Sequence, residues 1–214
     1  MQLHEKFRPD TWEQVVGQSK AIETIFRIKD RCGLGGRAFW ISGKSGTGKT
    51  TIAKLLAREV ADDWYIEECD AGPLTVSDLK DMESTMHVYG AGSKTGRAYI
   101  INEAHGLKKA VIRQLLVLLE RIPKHVVIVF TTTLDGMKLF EDDNMDANPL
   151  LSRCDEISLA QRDLAQAFAV RAKAIAEKEG LDGQPIEKYI RLVNDKGANL
   201  RAVLQAIEAG KMKV

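Results

Sequence analysis

The run Gly43-Lys44-Ser45-Gly46-Thr47-Gly48-Lys49-Thr50 has the spacing G-x-x-x-x-G-K-[ST]. Its glycines let backbone N–H groups turn inward around phosphate oxygens, and the start of a following helix adds its own N–H groups and dipole to the same anion site. In that arrangement Lys49 reaches the β- and γ-phosphates of a nucleotide, Thr50 offers its hydroxyl to Mg²⁺, and Thr51 follows in the first helical turn. The flanks fit: residues 37–42 read as a strand, and residues 50–60, with Ile52, Leu55 and Leu56, read as a helix. The plain alternative is a glycine-rich turn.

About 50 residues later, Tyr99-Ile100-Ile101-Asn102-Glu103-Ala104-His105 is an apolar strand with polar residues at its end. Such a strand end beside a phosphate loop supplies a metal ligand and a general base. Asn102 stands where an Asp carboxylate usually holds Mg²⁺. An amide keeps an oxygen lone pair and loses the charge, so weakened metal affinity is expected. Glu103 remains able to polarise an attacking water. A simple turn role is the alternative for Asn102.

These residues need a scaffold, and its outline is legible. Short apolar runs alternate with longer amphipathic stretches, as expected for a parallel sheet with crossover helices. Strands are expected over 37–42, 64–68, 98–101, 126–130 and 157–159, with helices over 50–60, 76–86 and 108–121. After about residue 160 only helices are expected, over 164–179, 186–193 and 200–209, punctuated by Gly180 and Gly197. The expected division is an α/β nucleotide-binding unit, 1–159, and a small helical unit, 160–214. The acidic stretch Glu141-Asp142-Asp143-Asn144-Met145-Asp146 reads as a solvated loop.

Composition bounds the rest. With 31 Lys+Arg against 30 Asp+Glu in 214 residues, the net charge of +1 gives no global pull toward nucleic acid. At 44% hydrophobic residues the chain falls outside the disordered class. Cys32, Cys69 and Cys154 are widely separated and lack a Cys-x-x-Cys pair, which argues against a disulfide framework or zinc ribbon. His105 and His125 lack metal-ligand companions. The N-terminus has no apolar signal core, and no run approaches the ~20 apolar residues of a membrane span. A cytoplasmic protein without membrane contact is expected, in the host cytoplasm if phage-encoded.

The residues resemble those of AAA+ ATPases of the clamp-loader group, meaning bacterial tau/gamma subunits and the small subunits of replication factor C. Phe7-Arg8-Pro9-Asp10-Thr11-Trp12-Glu13-Gln14-Val15-Val16-Gly17-Gln18 is similar to the family's N-terminal segment. That segment packs around the adenine, and the resemblance assigns Arg8, Pro9, Val16 and Gly17 to this task. Asn102-Glu103-Ala104-His105 resembles the family's acid-ending strand except at its first residue. The resemblance implies a P-loop αβα sandwich followed by a helical lid, with ATP and Mg²⁺ as cofactors.

Three further roles come by resemblance alone. Thr131-Thr132-Thr133 looks like the sensor-1 segment, with Thr133 favoured and Thr132 close behind. Ser152-Arg153-Cys154 matches the motif whose Arg enters a neighbouring subunit's site as a finger, which implies a homo-oligomer; local pairing with Asp155 or Glu156 is the alternative. Gly197-Ala198-Asn199-Leu200-Arg201 resembles sensor 2, with Arg201 on the γ-phosphate. Lys94, Arg97, Lys108, Lys109 and Arg113 fall in the region that tracks DNA phosphates in the family, or are solvated charges. A sliding clamp is a further partner implied. The family's helical collar and zinc-binding cysteine cluster have no counterpart in the sequence, so assembly is expected through the AAA+ faces, in a stripped version of the kind a phage or mobile element would encode. The resulting expectation is a clamp-loader-like ATPase acting on DNA replication or repair complexes. Its rivals are a non-hydrolysing assembly protein held together by ATP, and another AAA+ DNA motor such as a helicase loader.

Overall fold

The computed structural model describes residues 1–133 and 148–213; the acidic stretch 141–146 lies outside them. Two strands, β1 (Arg37–Ser42) and β4 (Val126–Thr132), are apolar on both faces and buried almost throughout, as strands at the centre of a parallel sheet must be. The described sheet has the order β2-β3-β4-β1-β5 with all pairs parallel. Its remaining strands are β2 (Ile66–Asp70), β3 (Arg97–Asn102) and β5 (Cys154–Ser158). Glu67, Glu68 and Asp70 make β2 too polar for the interior, and it forms one edge.

Alternate residues of β1 serve opposite layers. Phe39 and Ile41 pack with Ile52 and Leu56 of α3 (Lys49–Val60) and Ile25 of α2 (Ser19–Cys32). Trp40 faces the other way, toward Leu79 of α4 (Val76–Met86) and Leu115 of α5 (Lys109–Leu119). The outcome is an αβα sandwich. Chain connections diverge on either side of β1, and in open α/β sheets ligands bind beyond the strand ends at such a point.

Two strands differ from expectation. Trp64 belongs to a 3₁₀ turn, Asp63–Tyr65, and is 91% exposed, so the second strand starts at Ile66. β-Propensity at Trp64 and Tyr65 had no neighbouring strand to act on, since pairing with β3 begins at Ile66 opposite Ala98. The last strand begins at Cys154, before the single apolar residue Ile157, because Ala38 through Ser42 pair with it in parallel and Arg37 bonds Asp155 at 3.0 Å.

Past the short α6 (Asn148–Leu151) and β5, the described chain is helical: α7 (Ala165–Lys178), α8 (Ile186–Asp195) and α9 (Leu200–Glu208). Phe168, Tyr189, Leu192, Val203 and Ile207 form their common core. Leu3 of α1 (Leu3–Lys6) joins this core, with Phe7 and Val16 against it, so the N-terminal segment spans from the sheet to the helical unit. Among the described residues no helix is long and apolar enough to cross a membrane.

Candidate functional site

Helix α3 opens directly on the glycine-rich loop. Its N-cap is Gly48 at φ 102°, a left-handed conformation that a side chain would strain, and no side chain caps the helix. Its first N–H groups are thereby left for an anion. Lys49, only 7% exposed, folds back so that Nζ donates to the carbonyls of Gly43 at 3.1 Å and Lys44 at 3.0 Å. Burial pushes its pKa down; the Glu103 carboxylate opposes this and the Arg201 guanidinium adds to it. A buried cation beside a second cation is a site that an anion completes.

One cleft gathers most of the residues expected at the site. Ser45, Gly46, Thr47, Gly48, Lys49, Thr50 and Thr51 form its floor; Glu103 stands at one side and Arg201, near the start of α9, at another; Arg8, Pro9 and Val16 close it. Gly43 and Lys44 lie beneath, as the carbonyls that hold Lys49. Gly17 sits outside the lining, at φ 74° against α7, where a Cβ would come within 2.7 Å of Leu164 Cδ2. Its bareness lets the N-terminal segment reach the helical unit. Glu103 has φ 52°, rare for a residue with a side chain, and its carboxylate lies 3.5 Å from His105 Nε2.

Asn102, which is not among the residues lining the cleft, is the hub of a polar network that reaches Thr50. Its Oδ1 accepts from Thr50 Oγ1 at 3.5 Å and from Thr131 Oγ1 at 2.8 Å, and its Nδ2 donates to Glu68 Oε1 at 2.7 Å. Burial tends to raise the Glu68 carboxyl, but hydrogen bonds from Lys54 and Asn102 outweigh it and bring its pKa below the usual value. Convergence of a hydroxyl and an amide oxygen beside the phosphate loop fits a hard cation that takes oxygen ligands, so Thr50 and Asn102 would hold Mg²⁺. In the run 131–133, Thr131 bonds Asn102. Thr133 is exposed beyond β4 and outside the cleft lining, while Thr132 Oγ1 lies 3.3 Å from His105 Nδ1.

Arg153 is not in the cleft. Its Nε and Nη2 both bond Glu120 Oε1, at 3.2 and 2.5 Å, and Nη1 donates to the Pro149 carbonyl at 2.8 Å. Glu120, and neither of the neighbouring acids Asp155 and Glu156, is its partner. Two of the basic residues expected along DNA phosphates, Lys94 and Arg97, also have local tasks. Lys94 Nζ bonds the Arg58 carbonyl, and Arg97 donates to the Val88 carbonyl at 2.6 Å and lies over the Tyr65 ring. Lys108 and Arg113 are exposed at the start of α5.

Several further residues had no individual role assigned from the sequence. Gln18 is 1% exposed and joins three parts: Nε2 donates to Thr47 O at 3.3 Å and Ala160 O at 3.4 Å, and Oε1 accepts from Ala160 N at 2.7 Å. His4, Phe7 and Gln14, with Phe168, Arg171 and Ile175 of α7, also line the cleft. The α7 residues recur at helical spacing, a signal indistinguishable from ordinary core. Among the described residues no His/Cys/Asp/Glu cluster could hold a metal, and burial pushes the thiols of Cys69 and Cys154 up to about 11 and about 12, as for inert core cysteines.

Comparison with known proteins bears on the family and the fold. DNA polymerase III subunit tau of Escherichia coli is 30% identical over 189 residues, covering 77% of this chain and 28% of its own length. The Bacillus subtilis tau subunit is 27% identical over 84% of this chain and 34% of its own. For the gamma subunit of Buchnera aphidicola the figures are 29%, 98% and 60%. The chain therefore spans less than two thirds of these relatives. The Thermotoga maritima RuvB Holliday junction branch migration motor superposes with a TM-score of 0.73 at 19% identity, over 94% of this chain and 64% of its own, a likeness of fold. Residues 39–162 match the ATPase family associated with various cellular activities, AAA. The chain belongs to the AAA ATPase family and is related to the tau and gamma subunits of DNA polymerase III.

Proposed function

We propose that the chain is a clamp-loader-type ATPase module that binds and hydrolyses ATP at interfaces between copies of itself and acts on DNA replication or repair complexes in the cytoplasm. The α/β unit, 1–159, carries the nucleotide, and the helical unit, 160–214, is its lid. One observation carries the reading: Lys49, Glu103 and Arg201 converge on a single cleft while Arg153 is held away from it by Glu120 and Pro149. A site with its own cations and base, beside an exposed arginine directed elsewhere, supports an active site shared between copies.

In this reading Arg8, Pro9 and Val16 cover the base, the loop 43–50 cradles the phosphates, and Lys49 and Arg201 neutralise their charge. Mg²⁺ on Thr50 and Asn102 would offset charge on the β- and γ-oxygens. Glu103 takes the proton of the attacking water, and a threonine at the end of β4, Thr133 by resemblance or Thr131 by contact, senses the γ-phosphate. Arg153 completes the next copy's site. DNA phosphates would meet Lys108 and Arg113, and a sliding clamp is the partner in keeping with the relatives. ATP turnover with and without primed DNA, beside the mass in solution with ATP and Mg²⁺, tests this. Turnover by an oligomer is expected, and Arg153→Ala should keep ATP binding and lose on the order of 10³ or more in rate. Unchanged turnover in that variant would sink the shared site.

Asn102 favours a second reading, in which ATP holds an assembly together without being hydrolysed. An ATP-dependent oligomer with no turnover under either condition would select it.

A further inference from the structure

The polar network around Asn102 ends on a carboxylate that lies outside the cleft. Glu68, on edge strand β2, accepts from Asn102 Nδ2 at 2.7 Å through one oxygen and pairs with Lys54 Nζ at 2.7 Å through the other. A carboxylate can only accept, so it dictates which end of the amide faces it. The nitrogen turns to Glu68 and the oxygen to the hydroxyls of Thr50 and Thr131. Lys54 is one turn beyond Thr50 on α3, so the circuit Thr50, Asn102, Glu68, Lys54 begins and ends on the phosphate-loop helix. An amide whose N–H donates to an anion gains electron density at its oxygen, and carboxylates behind neutral metal ligands orient and strengthen them in the same way.

We propose that Glu68 is a positioning residue for the metal half of the site, turning the Asn102 amide oxygen toward Thr50 and strengthening it as a ligand for Mg²⁺. The inference rests on the nucleotide-site reading above. It accounts for an amide at this position: the negative charge that Asn102 lacks stands one hydrogen bond behind it. Glu68 is not itself a ligand in this arrangement, because the amide lies between its carboxylate and the Thr50 hydroxyl.

The test is the Mg²⁺ concentration giving half-maximal binding of a fluorescent ATP analogue to the purified chain, measured beside binding in EDTA and the melting temperature. In Glu68→Gln the Mg²⁺ midpoint should rise on the order of tenfold, with EDTA binding and melting unchanged. Glu68→Ala should shift it at least as far. Asn102→Asp places a carboxylate against Glu68, so it should lower the midpoint more in the Glu68→Gln background, where the glutamine amide can donate to it, than in the wild type. Midpoints unchanged in both Glu68 variants, or an Asn102→Asp effect equal in the two backgrounds, overturn the inference while leaving the cleft reading intact. A wild type that binds no nucleotide, with or without Mg²⁺, overturns both.

Discussion

Two lysine-centred clusters lie in this fold, and they are built to opposite rules. Lys173 of α7 pairs with Asp182 at 2.6 Å and Glu177 at 3.5 Å and donates to the Gln184 carbonyl, while the buried Tyr189 hydroxyl donates to Asp182 at 2.8 Å. Hydrogen bonding to Asp182 raises the Lys173 pKa, and the same bond holds Asp182 down to about 2. Lys49 has backbone carbonyls for partners and a guanidinium nearby, and burial drives its pKa the other way. The first cluster is complete within itself and fixes the packing of α7 and α8. In the second, burial disfavours the ammonium and the Glu103 carboxylate opposes this only in part, so an added anion would favour the charged form, which separates a candidate binding site from a structural ion pair.

Removing the charge of Lys49 and that of Asp182 should give opposite phenotypes, and the larger effect belongs to Lys49. Lys49→Ala is expected to lower ATP turnover by on the order of 10³ or more and to leave the melting temperature equal or higher, since it removes a desolvated ammonium. A variant that melted well below wild type would erase the distinction. Asp182→Asn should do the reverse. Its melting midpoint should fall by roughly 3–6 °C, the scale of one lost charged partner in a chain of this size, with nucleotide affinity unchanged.

The Asp182 effect also has a pH signature. A carboxyl whose folded pKa lies below its unfolded value contributes stability above the unfolded pKa, and loses it as pH falls through the folded one. With the folded value at about 2, the gap in melting temperature between wild type and Asp182→Asn should stand unchanged above about pH 5 and close steadily between about pH 4 and pH 2. A gap independent of pH across that range would mean that shape, and not charge, is what Asp182 contributes.

The two clusters were unequally visible in the sequence. The phosphate loop could be read because its chemistry lies in one continuous run and its demands are on the backbone: left-handed φ at Gly46 and Gly48, then a helix start. The central strands were equally plain, being apolar on both faces. The edges were not. The burial of β2 runs without a two-residue period, so its register depended on pairing with β3. The same holds for Asn102, whose amide is oriented by Glu68 from the neighbouring strand and by Thr131 from another. Neither contact leaves a local mark, and the sensor-1 resemblance, which favours Thr133 with Thr132 close behind, does not bear on them. Gln18 was in view as part of a motif, but its hydrogen bonds to Thr47 and Ala160 span 29 and 142 residues. Likewise the salt bridge of Lys173 to Asp182 crosses the connection between α7 and α8, and no local pattern marks it.

The smallest expected effect concerns the proton on Lys49. A lysine whose folded pKa is depressed carries its destabilising charge below that pKa and is relieved as pH rises through it toward the unfolded value, opposite in sign to the contribution of Lys173. Phosphate favours the charged form, so ATP binding must draw a proton onto whatever fraction of Lys49 is neutral in the free protein. Affinity should therefore fall as pH rises from neutrality toward the ordinary lysine value of about 10.4, earlier than an unperturbed lysine would allow. Calorimetry in two buffers of different ionisation enthalpy reads this directly as proton uptake that grows with pH. Uptake that is zero at both ends of the range would show that the ammonium is already secure without its ligand, and Lys49 would then belong with Lys173 after all.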